Sequence, residues 1–110
     1  MLIAHISDFH IFADTPESML VRKDAADVAR KIIADIKDHI PALDVVIFTG
    51  DLADGGSPED YNLLKEILSP RSIPVFVMPG NHDNRENMYR AFKATTPFEP
   101  SPNLNYEAVV

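Results

Sequence analysis

No cysteine occurs in the 110-residue chain, so disulfide staples, thiolate zinc sites and cysteine nucleophiles are excluded together. Any metal must sit on oxygen and imidazole ligands. Basic residues are also scarce, with ten Lys and Arg against seventeen Asp and Glu for a net charge of -7. That balance argues against a broad footprint for a nucleic acid polymer or an anionic membrane. A small phosphorylated substrate is not excluded, because bound cations among gathered acids reverse the local potential. No apolar run approaches the roughly 20 residues that span a bilayer, and no basic segment followed by a hydrophobic block opens the chain. The expectation is a cytoplasmic protein. Neither Gly-x-Gly-x-x-Gly nor Gly-Lys-Ser/Thr occurs, which leaves nucleotide binding by a phosphate loop with little support. Repeats and low-complexity segments are absent as well.

What is there suits a single soluble domain: 12.3 kDa, 45% apolar and 25% charged. Leu2 to Ser7 is a short apolar run that breaks at Asp8, as a buried strand does on entering a loop. Val21, Ala25, Val28, Ala29, Ile32, Ile33, Ile36 and Ile40 then recur at helical spacing, and Pro41 stops the helix. Asp44 to Thr49 is nearly continuous in apolar character, the pattern of a strand covered on both faces. Ser57-Pro58-Glu59-Asp60 offers an N-cap, a first-turn proline and first-turn acids ahead of Tyr61, Leu64, Ile67 and Leu68. A third strand is expected over Ile73 to Met78, a third helix over about Arg85 to Ala94, and a further strand beginning at Asn105 to Val110. Strands alternating with helices imply right-handed crossovers, hence an α/β fold with a mostly parallel sheet and helices on its faces.

In open parallel sheets ligands bind beyond the carboxyl ends of the strands. Here three strands run into Asp8 and His10, then Asp51, then Asn81 and His82. Singly, each has an ordinary explanation as a turn former or a loop histidine. Together they bring carboxylates, an amide and imidazoles to one edge, a donor set that divalent cations accept, and one carboxylate can bridge two ions. Asp51, on the middle segment, is the natural bridge. All four glycines, at 50, 55, 56 and 80, fall in the loops carrying Asp51 and Asn81, where the backbone must turn sharply or approach a ligand.

Asp8-Phe9-His10, Gly50-Asp51 and Gly80-Asn81-His82-Asp83 resemble the first three motifs of the calcineurin-like metallophosphoesterases, in the family's order and roughly its spacing. The run from His5 to His10 and that from Gly50 to Tyr61 look most like the bacterial branch of cyclic-nucleotide phosphodiesterases and glycerophosphodiesterases. The resemblance implies that Asp8 and His10 hold the first of two divalent metal ions, that Asp51 bridges, and that Asn81 holds the second. It implies iron, manganese, zinc or cobalt, without choosing among them. His82 would contact the substrate phosphate and protonate the leaving group, with Asp83 orienting it. The reaction implied is two-metal hydrolysis of a phosphate ester, with in-line attack by a hydroxide.

The family's later motifs, a lone histidine and a Gly-His-x-His segment, do not occur in these residues. Of the two spare histidines, His5 lies about 10 Å from Asp8 along an extended strand and is expected to pack within the sheet. His39 closes a helix at the opposite edge, where its charge suits a helix C-terminus. Two readings follow. In one, residues 1–110 are the N-terminal part of a single metallophosphoesterase domain, a partial α/β sandwich whose missing half leaves apolar sheet exposed and favours self-association. In the other, the chain is an incomplete, weakly active or inactive metal-binding or interaction module derived from that fold.

Overall fold

The computed structural model describes residues 1–16, 20–40, 42–69, 73–98, 104 and 107. The elements alternate as expected: β1 (Ile3–Ile6), α1 (Ala25–His39), β2 (Val45–Thr49), α2 (Pro58–Leu68), β3 (Val75–Met78) and α3 (Arg85–Phe92). The strands form one parallel sheet in the order β1-β2-β3, with Ile3 beside Val45 and Val46 beside Val75 in register. The segment expected to begin a further strand at Asn105 lies outside the described residues, apart from Glu107, which is in no strand.

Local chemistry explains most boundaries. Ser57 and Asp60 form a reciprocal capping box at the start of α2, each accepting the other's backbone N–H at 3.1 Å. Asn84 caps α3 by accepting from Asn87 N–H at 3.0 Å. The first helix begins four residues later than the apolar spacing predicts. Arg22 and Asp24 form a two-bond ion pair of 2.9 and 2.8 Å, so the Asp24 carboxylate points back to Arg22 and makes no cap. That hydrogen bond holds the Asp24 carboxyl below its usual range.

Successive strand residues point to opposite faces of the sheet, and among the described residues helices cover only one face. Ala4, Ile6, Val46, Phe48, Val75 and Val77 pack into a core with Ala29 and Ile33 of α1, Leu64 and Ile67 of α2, and Met88 and Phe92 of α3. On the other face Ile3 is 48% exposed and Met78 41%. Ile47, Thr49 and Phe76 beside them are partly covered. No residue of β2 is exposed, as its apolar run implies, and Val45 is 2% exposed even on the face away from the helices; two crossovers of the same hand, moving in the same direction across the sheet, place both connecting helices on one side. His5 is also not packed away. It stands exposed on the bare face, with Nε2 2.6 Å from Thr49 Oγ1.

Candidate metal centre

The strand ends converge because parallel pairing continues past the strands. Asp8 N–H donates to Gly50 O at 3.0 Å, His10 N–H to Asp51 O at 2.9 Å and Ile11 N–H to Leu52 O at 3.0 Å. Asp54 N–H returns to Ile11 O at 2.9 Å, and Ile11 with Ala53 forms an isolated parallel bridge. Zipped in this way, the two loops set Asp8, His10 and Asp51 side by side. All three have left-handed backbones, with φ of 60°, 46° and 51°. Such a conformation costs a non-glycine residue of order 1–3 kcal/mol and tends to cluster where function requires it.

The loop after β3 presses against the loop after β2. A Cβ on Gly50 would lie 2.7 Å from Gly80 Cα, and one on Gly80 would overlap Asp51 N and Oδ1. His82 N–H donates to Asp51 Oδ1 at 2.9 Å, which leaves Asp51 Oδ2 toward His10 Nε2, 3.9 Å away. Asn81 is exposed on the same loop, between Gly80 and His82.

Two groups of ligand-type atoms result, Asp8 with His10 and Asp51, and His10 with Asp54 and His82; within each, one ligand atom per residue lies within 4.8 Å of the others. In the first group His10 Nε2 is 3.6 Å from Asp8 Oδ1. Around an ion with bonds of about 2.1 Å, ligand atoms stand roughly 3.0 to 4.2 Å apart. The spacing and the mixed oxygen and nitrogen donors therefore fit a divalent metal.

The second group centres on Asp54, whose side chain is fully buried at 0% exposure. Its Oδ1 lies 3.5 Å from His10 Nδ1 and 3.6 Å from His82 Nδ1, just beyond hydrogen-bond reach. The two imidazoles meet edge to face at 4.9 Å. His10 Nδ1 is buried without a hydrogen bond, and the nearby Asp54 carboxylate suits a histidine whose other nitrogen turns toward a metal site. Sequence reasoning missed Asp54. The available signal was an acid three residues after Asp51, in a segment where strand pairing continues.

Asp83 is placed differently from the expectation that it orients His82. Its Oδ2 accepts from Gly80 N–H at 2.8 Å and Leu52 N–H at 3.2 Å, and its Oδ1 from Ala53 N–H at 3.1 Å and the Tyr61 hydroxyl at 2.9 Å. The carboxylate thus ties two loops together, while His82 Nδ1 faces Asp54 and lies 3.2 Å from its carbonyl oxygen. Tyr61 also accepts from Asn84 N–H at 2.9 Å. Burial, reinforced by the Asp83 charge, keeps the phenol protonated well above its usual range. Of the remaining histidines, His5 is on the bare face and His39 ends α1. A cavity of about 510 Å³ adjoins the site, lined by Asp8, His10, Arg22, Asp54 and His82 together with apolar residues that include Phe9, Val28 and Ile32.

A parallel sheet that gathers carboxylates and imidazoles at its carboxyl edge, spaced for a common ion, defines an α/β protein equipped to hold a divalent metal. More specifically, the chain belongs to the calcineurin-like phosphoesterases, whose family model matches residues 1–109. It is 36% identical over 105 residues to a probable glycerophosphodiester phosphodiesterase of Arcobacter nitrofigilis, covering 96% of this chain and 38% of the relative. It is 32% identical over 91 residues to the 3',5'-cyclic adenosine monophosphate phosphodiesterase of Pseudomonas aeruginosa, covering 83% and 33%. A probable cyclic nucleotide phosphodiesterase of Vesicomyosocius okutanii is 40% identical over 90 residues, covering 82% and 36%. The chain spans about a third of the length of these curated relatives. Among the described residues, no helix is long and apolar enough to cross a membrane.

Proposed function

We propose that Asp8, His10, Asp51 and Asn81 hold two divalent ions (iron, manganese, zinc or cobalt), with Asp51 between them, and that the site hydrolyses phosphodiesters. The observation that carries this reading is the convergence of Asp8, His10 and Asp51 within 4.8 Å, each on a left-handed backbone. The names of the relatives support a cyclic nucleotide or a glycerophosphodiester as substrate. Bound divalent ions would supply Lewis acidity and water acidified enough to yield a nucleophile at neutral pH.

The chain's own residues do the positioning. His82 N–H fixes one Asp51 oxygen, so the carboxylate presents the other to the site. Asp54 faces Nδ1 of both His10 and His82, which leaves His10 Nε2 to Asp8 and Asp51, and both histidines line the same cavity. From there His82 contacts the phosphate and protonates the departing oxygen. Asp83 acts on His82 indirectly, by fixing the turn that carries it. The apolar residues of the cavity lining receive the organic part of the ester.

Residues 1–110 are, in this proposal, the N-terminal part of one metallophosphoesterase domain, which the fraction of the relatives they cover supports. The partners are small phosphorylated substrates and, through the bare sheet face, a second copy of the chain. The protein is placed in the cytoplasm, away from nucleic acid and membrane. The test is a divalent-metal titration of this chain and of Asp51→Asn. Micromolar or tighter binding in the wild type, weakened at least tenfold in the variant, is expected; equal binding by both would sink the proposal.

A further inference from the structure

We infer that Tyr61 is a positioning residue for the metal site: its hydroxyl, acting through Asp83, sets the loop of Asn81 and His82 against the loop of Asp51. The inference rests on the metal-site reading above. Tyr61 is fully buried, in the same core as Leu64 and Ile67 of α2. A hydroxyl taken into a core needs partners, and both partners here lie in the turn that follows the candidate ligands. It donates to Asp83 Oδ1 at 2.9 Å and accepts from Asn84 N–H at 2.9 Å.

Asp83 passes that restraint on. Three of its four bonds go to backbone N–H groups on either side of the site, those of Leu52 and Ala53 in one loop and of Gly80 in the other. The contact it clamps has no slack, because Gly80 packs against Asp51 with no room for a Cβ. A shift of the Gly80 to Asn84 turn must therefore disturb the bond from His82 N–H to Asp51 Oδ1, and with it the direction of Asp51 Oδ2.

The post to which this clamp is fixed is itself anchored. The capping box closes the first turn of α2, and Asp60 Oδ1 also accepts Ala13 N–H at 2.8 Å, which ties α2 to the loop leaving β1. Tyr61 thus stands on a helix whose N-terminal turn is bonded to the segments following β1 and β3. Outer partners of metal ligands tune affinity by about 10- to 100-fold without touching the ion.

Cobalt(II) is the probe, titrated into the whole chain as wild type, Tyr61→Phe, Ile67→Val and Asp51→Asn, with affinity and the visible absorption of the bound ion both recorded. Ile67→Val loosens the packing of the same helix and has no place in the hydrogen-bond network. The expected result is cooperative melting in every variant. Tyr61→Phe should bind cobalt about tenfold more weakly with an altered absorption band, while Ile67→Val keeps both wild-type affinity and spectrum. Wild-type affinity and spectrum in Tyr61→Phe, with binding lost in Asp51→Asn, overturn the inference alone. Unchanged binding in both Tyr61→Phe and Asp51→Asn overturns the metal-site reading as well. Should Tyr61→Phe fail to fold, Asp83→Asn tests the same bond from its other end: a folded variant with weakened cobalt binding supports the inference, and one with wild-type binding overturns it.

Discussion

A Cβ at position 80 would overlap Asp51 N and Oδ1, so Gly80→Ala tests the closest contact of the candidate site. The loops must part to admit the methyl group. Overpacking of this kind costs about 1–3 kcal/mol, and metal titration should show at least a tenfold loss of affinity along with it. Asp54→Asn makes the opposite kind of change, keeping the volume and removing the charge that faces His10 and His82 at 3.5 and 3.6 Å. Metal affinity is expected to fall by about 10- to 100-fold; an unchanged titration would reduce Asp54 to a packing residue. The sequence pointed to Asp8, His10, Asp51, Asn81 and His82 because they follow strand ends and carry ligand chemistry, and the structure brings Asp8, His10 and Asp51 within 4.8 Å. Asp54 was not legible in the sequence, since Gly-Asp-Leu-Ala-Asp-Gly-Gly reads as turn chemistry until the pairing of Ile11 with Ala53 draws Asp54 into the interior. Nor was the part played by Asp83, because its partners are backbone N–H groups that any sequence would supply.

Helix α2 is where local sequence signals and tertiary structure agree most closely. Ser57, Pro58 and Asp60 announce the start that the structure shows. Ser57→Ala should cost about 1 kcal/mol, which for a domain of this size lowers the melting temperature by about 4–8 °C. Asp60→Ala should cost more, because Asp60 also accepts Ala13 N–H; equal shifts in thermal melts would show that the tie to the β1 loop contributes nothing. The same helix carries a pH signature. The Tyr61 phenol is raised above its ordinary value of about 10, so the unfolded chain loses this proton first as pH rises. Its contribution is complete below about pH 10 and declines above it. Denaturant midpoints at pH 9 and pH 11 should therefore fall further in the wild type than in Tyr61→Phe. Helix α1 was less legible at its start, because a side-chain pair between Arg22 and Asp24 competes with capping and apolar spacing cannot register it.

At the scale of the whole molecule, the order β1-β2-β3 decides what the strand sequences cannot. A run such as Val45 to Thr49 has the same apolar content whether helices cover one face or two. With connections that advance in one direction across the sheet, α1 and α2 must share a side, and α3 joins the same core. The other face then presents Ile3 and Met78, 48% and 41% exposed, across the width of the sheet, with Phe76 partly covered beside Met78. Exposed apolar side chains on a sheet face without helices offer a place for association. If the face joins two copies, lysine at both exposed positions should block pairing through charge repulsion and desolvation, while leaving the buried core of Val46, Phe48 and Val77 intact. Sedimentation of the chain at increasing concentration is expected to show association in the wild type and a species near 12.3 kDa in the Ile3→Lys, Met78→Lys double variant. Cobalt binding should survive in that variant, because neither residue belongs to a ligand group. A wild type that sediments at 12.3 kDa at every concentration would rule out pairing through this face.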